Sequence, residues 1–194
     1  MKKSNSARFT TRLWLVALAA MLALTGMAVS GTQTKTTTGD IKNFGKVNEN
    51  YYRGSQPDAD QFTRLKQLGI KTVIDLRKDS VSGAPEWVRS AGMQYFNIPL
   101  KASRPATPEQ TDYFLKLVND PANWPVYVHC KGGRHRTGAL TAIYRITHDG
   151  WTADQAYKEM KEYDFESGFF GGPTAQKKYV FSFYERHSTE TGQR

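Results

Sequence analysis

The 194-residue chain has a single cysteine, Cys130, and so cannot hold an intrachain disulfide or a multi-cysteine metal site. It has no internal repeat, which excludes solenoid and propeller architectures. Zinc-finger spacing is missing, as is any interleaved basic and aromatic motif. The excess of 27 Lys and Arg over 18 Asp and Glu therefore does not read as nucleic-acid binding. No spacing in the chain asks for a metal or a cofactor.

Acidic residues are absent altogether from the first thirty positions. Lys2, Lys3, Arg8 and Arg12 form a basic start, and Leu13 to Val29 is an uncharged apolar run of 17 residues, with small residues at Ala28 and Ser30 suited to cleavage. This pattern predicts a signal peptide over residues 1–30 and an exported, periplasmic or extracellular protein. The run is also at the short edge of a membrane span, so an uncleaved N-terminal anchor is the alternative, and membrane contact is expected only then. Residues 31–45, rich in Thr and without apolar periodicity, read as a flexible tether. Residues 46–194 remain as one domain, expected to be monomeric, with enough chain for a sizeable core. Without the leader the balance is 23 basic against 18 acidic residues, a net charge of +5.

Apolar patterning then alternates strand and helix, which predicts an α/β fold with a mainly parallel sheet flanked by helices. Strands are expected at Tyr51–Ser55, Thr72–Leu76, Gln94–Leu100 and Pro125–Val128. Helices are expected around Phe62–Leu68, over Pro85–Ala91, from a Thr107 cap to about Val118, over Ala139–Ile146, from a Thr152 cap through Met160, and over Ala175–His187. Loops at the carboxyl ends of parallel strands share one side of such a sheet. Arg77–Pro85, Lys101–Ala106 and Asp164–Pro173 should thus converge, the last with Gly168, Gly171 and Gly172 around Phe169 and Phe170 as a candidate lid.

Cys130 lies in the stretch His129-Cys130-Lys131-Gly132-Gly133-Arg134-His135-Arg136-Thr137-Gly138, between a strand and a helix. A thiol at a helix N-terminus beside a guanidinium is favoured as the thiolate, which is the nucleophilic form. Loop N–H groups aimed at one point bind an oxyanion. Arg136 offers a planar fork for two phosphoryl oxygens, and Gly132 and Gly133 let the backbone approach them. The Thr137 hydroxyl can hydrogen-bond the sulfur, and His129 is expected to orient the loop.

These residues resemble the His-Cys-x5-Arg-Thr signature of protein tyrosine and dual-specificity phosphatases, over the whole domain from about Tyr51. The form His-Cys-Lys-x-Gly-x-x-Arg-Thr-Gly is most similar to atypical dual-specificity phosphatases and to inositol-phosphate and phosphoinositide phosphatases with a basic loop. The resemblance implies phosphomonoester hydrolysis through a phosphocysteine, without a cofactor, on a phosphorylated small molecule or a phosphoprotein. It also implies a general-acid Asp about thirty residues before the cysteine and a water-positioning glutamine, for which Gln176 is the candidate.

The loop expected to carry that acid, Lys101 to Thr107, contains no carboxylate. By location the replacements are Asp79 or Asp164, with Glu166, Glu109 and Asp112 behind them. Asp75 and Arg77 are expected to pair, with Arg77 turned toward substrate. Arg77, Lys101, Arg104, Lys131, Arg134 and His135 supply a basic rim with His129 beneath it, more charge than one phosphate requires. Inositol phosphates or phosphoinositides and phosphotyrosine or phosphoserine proteins both remain open as substrates. Other classes are a phosphate-binding module lacking turnover for want of its acid, and sulfur or arsenate chemistry on the same loop.

Overall fold

The computed structural model describes residues 41–166 and 173–192. The leader, residues 31–40 and the Gly168–Gly172 lid candidate lie outside the described residues. The elements run β1 (Gly45–Asn48), β2 (Tyr51–Ser55), α1 (Ala59–Gln67), β3 (Thr72–Arg77), α2 (Ala84–Ser90), β4 (Gln94–Leu100), α3 (Pro108–Asn119), β5 (Val126–Cys130), α4 (His135–Asp149), α5 (Ala153–Glu162) and α6 (Pro173–Thr191). They form a five-stranded sheet in the order β1-β2-β5-β3-β4. Only β1 is antiparallel to its neighbour, so the sheet is mainly parallel, as the alternating pattern predicted.

Side-chain alternation along the strands sends two cores to opposite faces. Val73 and Tyr127 pack with Phe62, Leu65 and Val88 on the α1–α2 side. Ile74, Leu76, Val126 and Val128 pack with Phe114, Leu140, Ile143 and Met160 on the other side. Central β5 is buried along its whole length, because both faces are covered. Phe62 and Leu65 are fully buried, and each such side chain contributes about 1.5–3 kcal/mol. Cys130 shares its parity with Val126 and Val128, so its side chain belongs to the face carrying α4.

The capping signals at Thr107 and Thr152 hold: each side chain accepts from the backbone of Gln110 or Gln155, and the glutamine returns to the cap amide. Arg145 ties α4 to α5 through Glu159 at 2.6 Å and to Asp149 at 2.6 Å, with Trp151 against its guanidinium.

Two of the boundaries that differ from the sequence reading bear on the site. Residues 41–45 are part of the folded body, not of a tether. Ile41 and Phe44 are 2% and 3% exposed, and Phe44 lies against Tyr52 and Tyr127. Two apolar anchors in a short polar stretch give no periodicity, which is why β1 and the turn before it were illegible. Helix α4 starts at His135, four residues before Ala139, because its first turn carries polar residues facing the loop instead of an apolar stripe.

Candidate active site

The loop after β5 is held from outside by three successive carbonyls. The Gln56 amide donates to the Lys131 carbonyl at 3.2 Å, Asn43 Nδ2 to that of Gly132 at 2.9 Å, and Arg53 Nη2 to that of Gly133 at 2.9 Å. In a planar trans peptide the N–H points away from its carbonyl. Drawing these oxygens outward therefore turns the amides of Gly132, Gly133 and Arg134 toward the loop's interior. The first turn of α4 has no side-chain cap, so its N–H groups join them. This is an anion cradle at a helix N-terminus.

Cys130 lies at the floor of a cavity of about 570 Å³ and is 3% exposed. Lys131, Gly132, Arg134, His135 and Arg136 line it from the loop, Ala102 from the segment after β4, and Asp164 from the turn after α5. Lys42 and Asn43 complete the wall. Asp164 reaches it because its backbone is left-handed, φ 58°, while the next residue, Phe165, is fully buried.

Arg136 Nη1 donates to the Leu100 carbonyl at 3.1 Å, so the end of β4 aims its guanidinium. Asp79 Oδ1 lies 3.7 Å away. The Asp79 carboxyl is held below the usual range by its own backbone amide, with Arg77 and Arg136 adding to the effect. His129 is fully buried, and burial pushes its ring down to about 4, so it is neutral near pH 7 although Asp75 Oδ1 is 3.8 Å away. Tyr127 stacks on it and donates to the Ser55 carbonyl at 2.6 Å. Burial and the Arg134 charge likewise lower His135, whose ring meets Phe165 edge-on.

Several expected placements are corrected by this geometry. Arg77 does not point into the cavity. Its guanidinium is taken by the Asp79 carbonyl and by Gln56 Oε1 at 3.3 Å, because β3 ends in a turn that folds Asp79 back over it. Asp75 does not pair with that guanidinium either; it accepts from the Arg77 amide at 2.9 Å, from the Ser80 hydroxyl and from Tyr95 at 3.1 Å. Lys101 is exposed and does not line the cavity, and Arg104 borders a separate small cleft beside Arg136. Gln176, 1% exposed, donates Nε2 to the Ala102 and Arg104 carbonyls at 3.2 and 3.3 Å, clamping the Lys101–Thr107 loop, and it lies off the cavity wall. The Thr137 hydroxyl is buried and makes no hydrogen bond among the described residues, the cysteine sulfur included. Glu109, Asp112 and Glu166 lie off the cavity wall, Glu166 accepting from the Tyr157 hydroxyl.

Sequence reasoning missed Lys42, Asn43, Arg53 and Gln56. Arg53 had a visible signal, a charge inside an otherwise apolar strand. It is fully buried, lies 3.9 Å over the Tyr163 ring, and leaves Nε and Nη1 without hydrogen bonds among the described residues.

Residues 27–178 match the profile of a family described as DSP-PTPase phosphatase fused to NAD+ kinase. The dual specificity protein phosphatase TpbA of Pseudomonas aeruginosa is 31% identical over 123 residues, 63% of this chain and 55% of that protein. The inositol diphosphatase DSP1 of Oryza sativa is 32% identical over 108 residues, 53% of this chain and 49% of that protein. The chain thus spans about half the length of these curated relatives. The solved structure of TpbA superposes with a TM-score of 0.61 at 27% identity, covering 76% of this chain and 91% of that one. The catalytic domain of the PP-IP phosphatase SIW14 from S. cerevisiae gives 0.65 at 20% identity, over 78% and 94%, which shows the shared fold.

Proposed function

Because the chain belongs to the DSP-PTPase phosphatase family whose profile it matches over residues 27–178, we propose that it is a cysteine-dependent phosphatase acting on a small molecule with several phosphates, of the inositol diphosphate kind. The observation that carries this reading is the cavity itself. Lys42, Lys131, Arg134 and Arg136 converge on it against one carboxylate among the described residues, Asp164, and the loop from Lys101 to Thr107 has none. In the first step the Cys130 thiolate attacks phosphorus, the bond to the leaving oxygen breaks, and the cradle amides and Arg136 hold the three equatorial oxygens. Water then cleaves the S–P bond, returning the thiolate and inorganic phosphate. An anhydride releases a phosphate, which leaves well without a proton, so the missing carboxylate matters least for this substrate.

We infer further roles for two carboxylates. Asp79 lies off the cavity wall, 3.7 Å from Arg136, and braces that guanidinium. Asp164 is the carboxylate placed to supply a proton where a leaving group needs it. The leader reading of residues 1–30, with export, stands as part of the same proposal.

The test compares phosphate release from a diphosphoinositol polyphosphate, from inositol hexakisphosphate and from a phosphotyrosine peptide. The diphosphate should be turned over with the highest kcat/KM, at least about tenfold above the others. Higher kcat/KM on the peptide would move the reading to a protein phosphatase, as TpbA is named.

Arg53 gives a second prediction. Arg53→Met removes a buried charge together with its hydrogen bond to Gly133 and its ring contact. The lost desolvation penalty offsets the lost contacts, so stability should change by less than about 2 kcal/mol. The untethered carbonyl should nonetheless lower kcat/KM about tenfold or more, since misplaced cradle amides stabilise the transition state poorly. Thermal unfolding and p-nitrophenyl phosphate kinetics on one preparation decide it; unchanged kcat/KM would remove Arg53 from the machinery.

A further inference from the structure

At about 570 Å³ the cavity above Cys130 is the size of a site for a whole small molecule, roughly 300–1,000 Å³. Part of its wall comes from a turn far from the phosphate loop in sequence. We propose that Lys42 is a specificity-determining residue that binds a second phosphate of the substrate while Cys130 engages the first. This rests on the polyphosphate reading above and deepens it.

The turn is held at every residue. Ile41 and Phe44 are buried on either side, and the Lys42 carbonyl accepts from the Ser55 amide at 2.8 Å. Asn43 is 5% exposed, left-handed at φ 54°, and donates to the Gly132 carbonyl at 2.9 Å. Asparagine is among the few non-glycine residues that take this conformation readily, and the bond to Gly132 holds it there. Of residues 41–44, Lys42 alone is exposed; its carbonyl is tied to Ser55, the β2 residue paired with Cys130, and its neighbour Asn43 is tied to the loop. The base of the Lys42 side chain is therefore set relative to the nucleophile. Lys42 lines the same cavity as Lys131, Arg134 and Arg136. Like charges converging on a cavity repel one another unless a polyanion occupies it. A lysine, a compact charge on a flexible stem, suits a phosphate presented at variable angle.

The full chain is assayed on p-nitrophenyl phosphate with inorganic phosphate and inositol hexakisphosphate as competitive inhibitors. The readout is the ratio of the two inhibition constants, phosphate over hexakisphosphate. Lys42→Gln should lower this ratio about tenfold, the effect of one charge-assisted phosphate contact, while Lys42→Arg should hold it within about twofold. Lys46→Gln, on β1 and paired with Glu49 at 2.5 Å, controls for net charge and should not move the ratio. An unchanged ratio in Lys42→Gln, or an equal fall in Lys46→Gln, overturns the assignment while leaving the polyphosphate reading in place. A wild-type chain that binds hexakisphosphate no better than phosphate overturns both.

Discussion

Cys130→Ser should lower turnover of p-nitrophenyl phosphate on the order of 10⁴-fold or more, with binding of inorganic phosphate retained. The change removes the nucleophile and nothing else. The carbonyl tethers from Gln56, Asn43 and Arg53 and the support of Arg136 by the Leu100 carbonyl involve no sulfur atom. The hydroxyl that replaces the thiol ionises far less readily, and His129, next to it in the chain, is fully buried and off the cavity wall. Steady-state kinetics and phosphate titration of the same variant are the measurements. A serine variant within about tenfold of wild type would refute the phosphocysteine route. Loss of phosphate binding together with turnover would mean the cradle depends on the thiolate.

Gly133→Ala should be the most damaging change that leaves every functional group in place. Gly133 has φ +67°, a region an alanine occupies only at a penalty of about 1–2 kcal/mol. Its added methyl would also lie 2.5 Å from the Gly54 carbonyl carbon and 2.6 Å from the Ser55 nitrogen. These atoms are backbone of β2 in register with β5, so they cannot swing aside as a side chain would. Overpacking of this kind adds about 1–3 kcal/mol, and the total of about 3 kcal/mol should lower Tm by roughly 6–12 °C. The loop will relieve the clash by moving away from β2, which pulls the Gly133 carbonyl off Arg53 and rotates the cradle amides. Displacement of about 1 Å should then reduce kcat about 10²-fold. Differential scanning and initial-rate kinetics test both parts, and a variant with wild-type Tm and kcat would show that β2 does not support the loop.

Gly132 differs instructively. Its added methyl would approach only the Arg134 side chain, at 3.2 Å, and a flexible guanidinium can yield. The two glycines are adjacent and equivalent as letters; the strand behind Gly133 and its positive φ separate their roles.

The sequence by itself determined the α/β alternation, the caps at Thr107 and Thr152, and the cysteine-to-arginine loop, because all of these are written in neighbouring residues. Periodicity, a cap three residues from its partner and a turn between strand and helix are local properties. It also determined that the Lys101–Thr107 loop lacks an acid. What only the tertiary structure decided was which charges serve the cavity and what holds the loop in shape. Arg77 and Lys101 were equal candidates with Lys131 and Arg134 on the page, yet a folded-back Asp79 turns Arg77 away and Lys101 lies off the cavity wall. Asn43 and Arg53 act on Gly132 and Gly133 across 89 and 80 residues. Such contacts arise because β2 pairs with β5 and brings an N-terminal turn beside the loop, and strand pairing at that separation is set by the closing of the whole sheet, which no short window of sequence records.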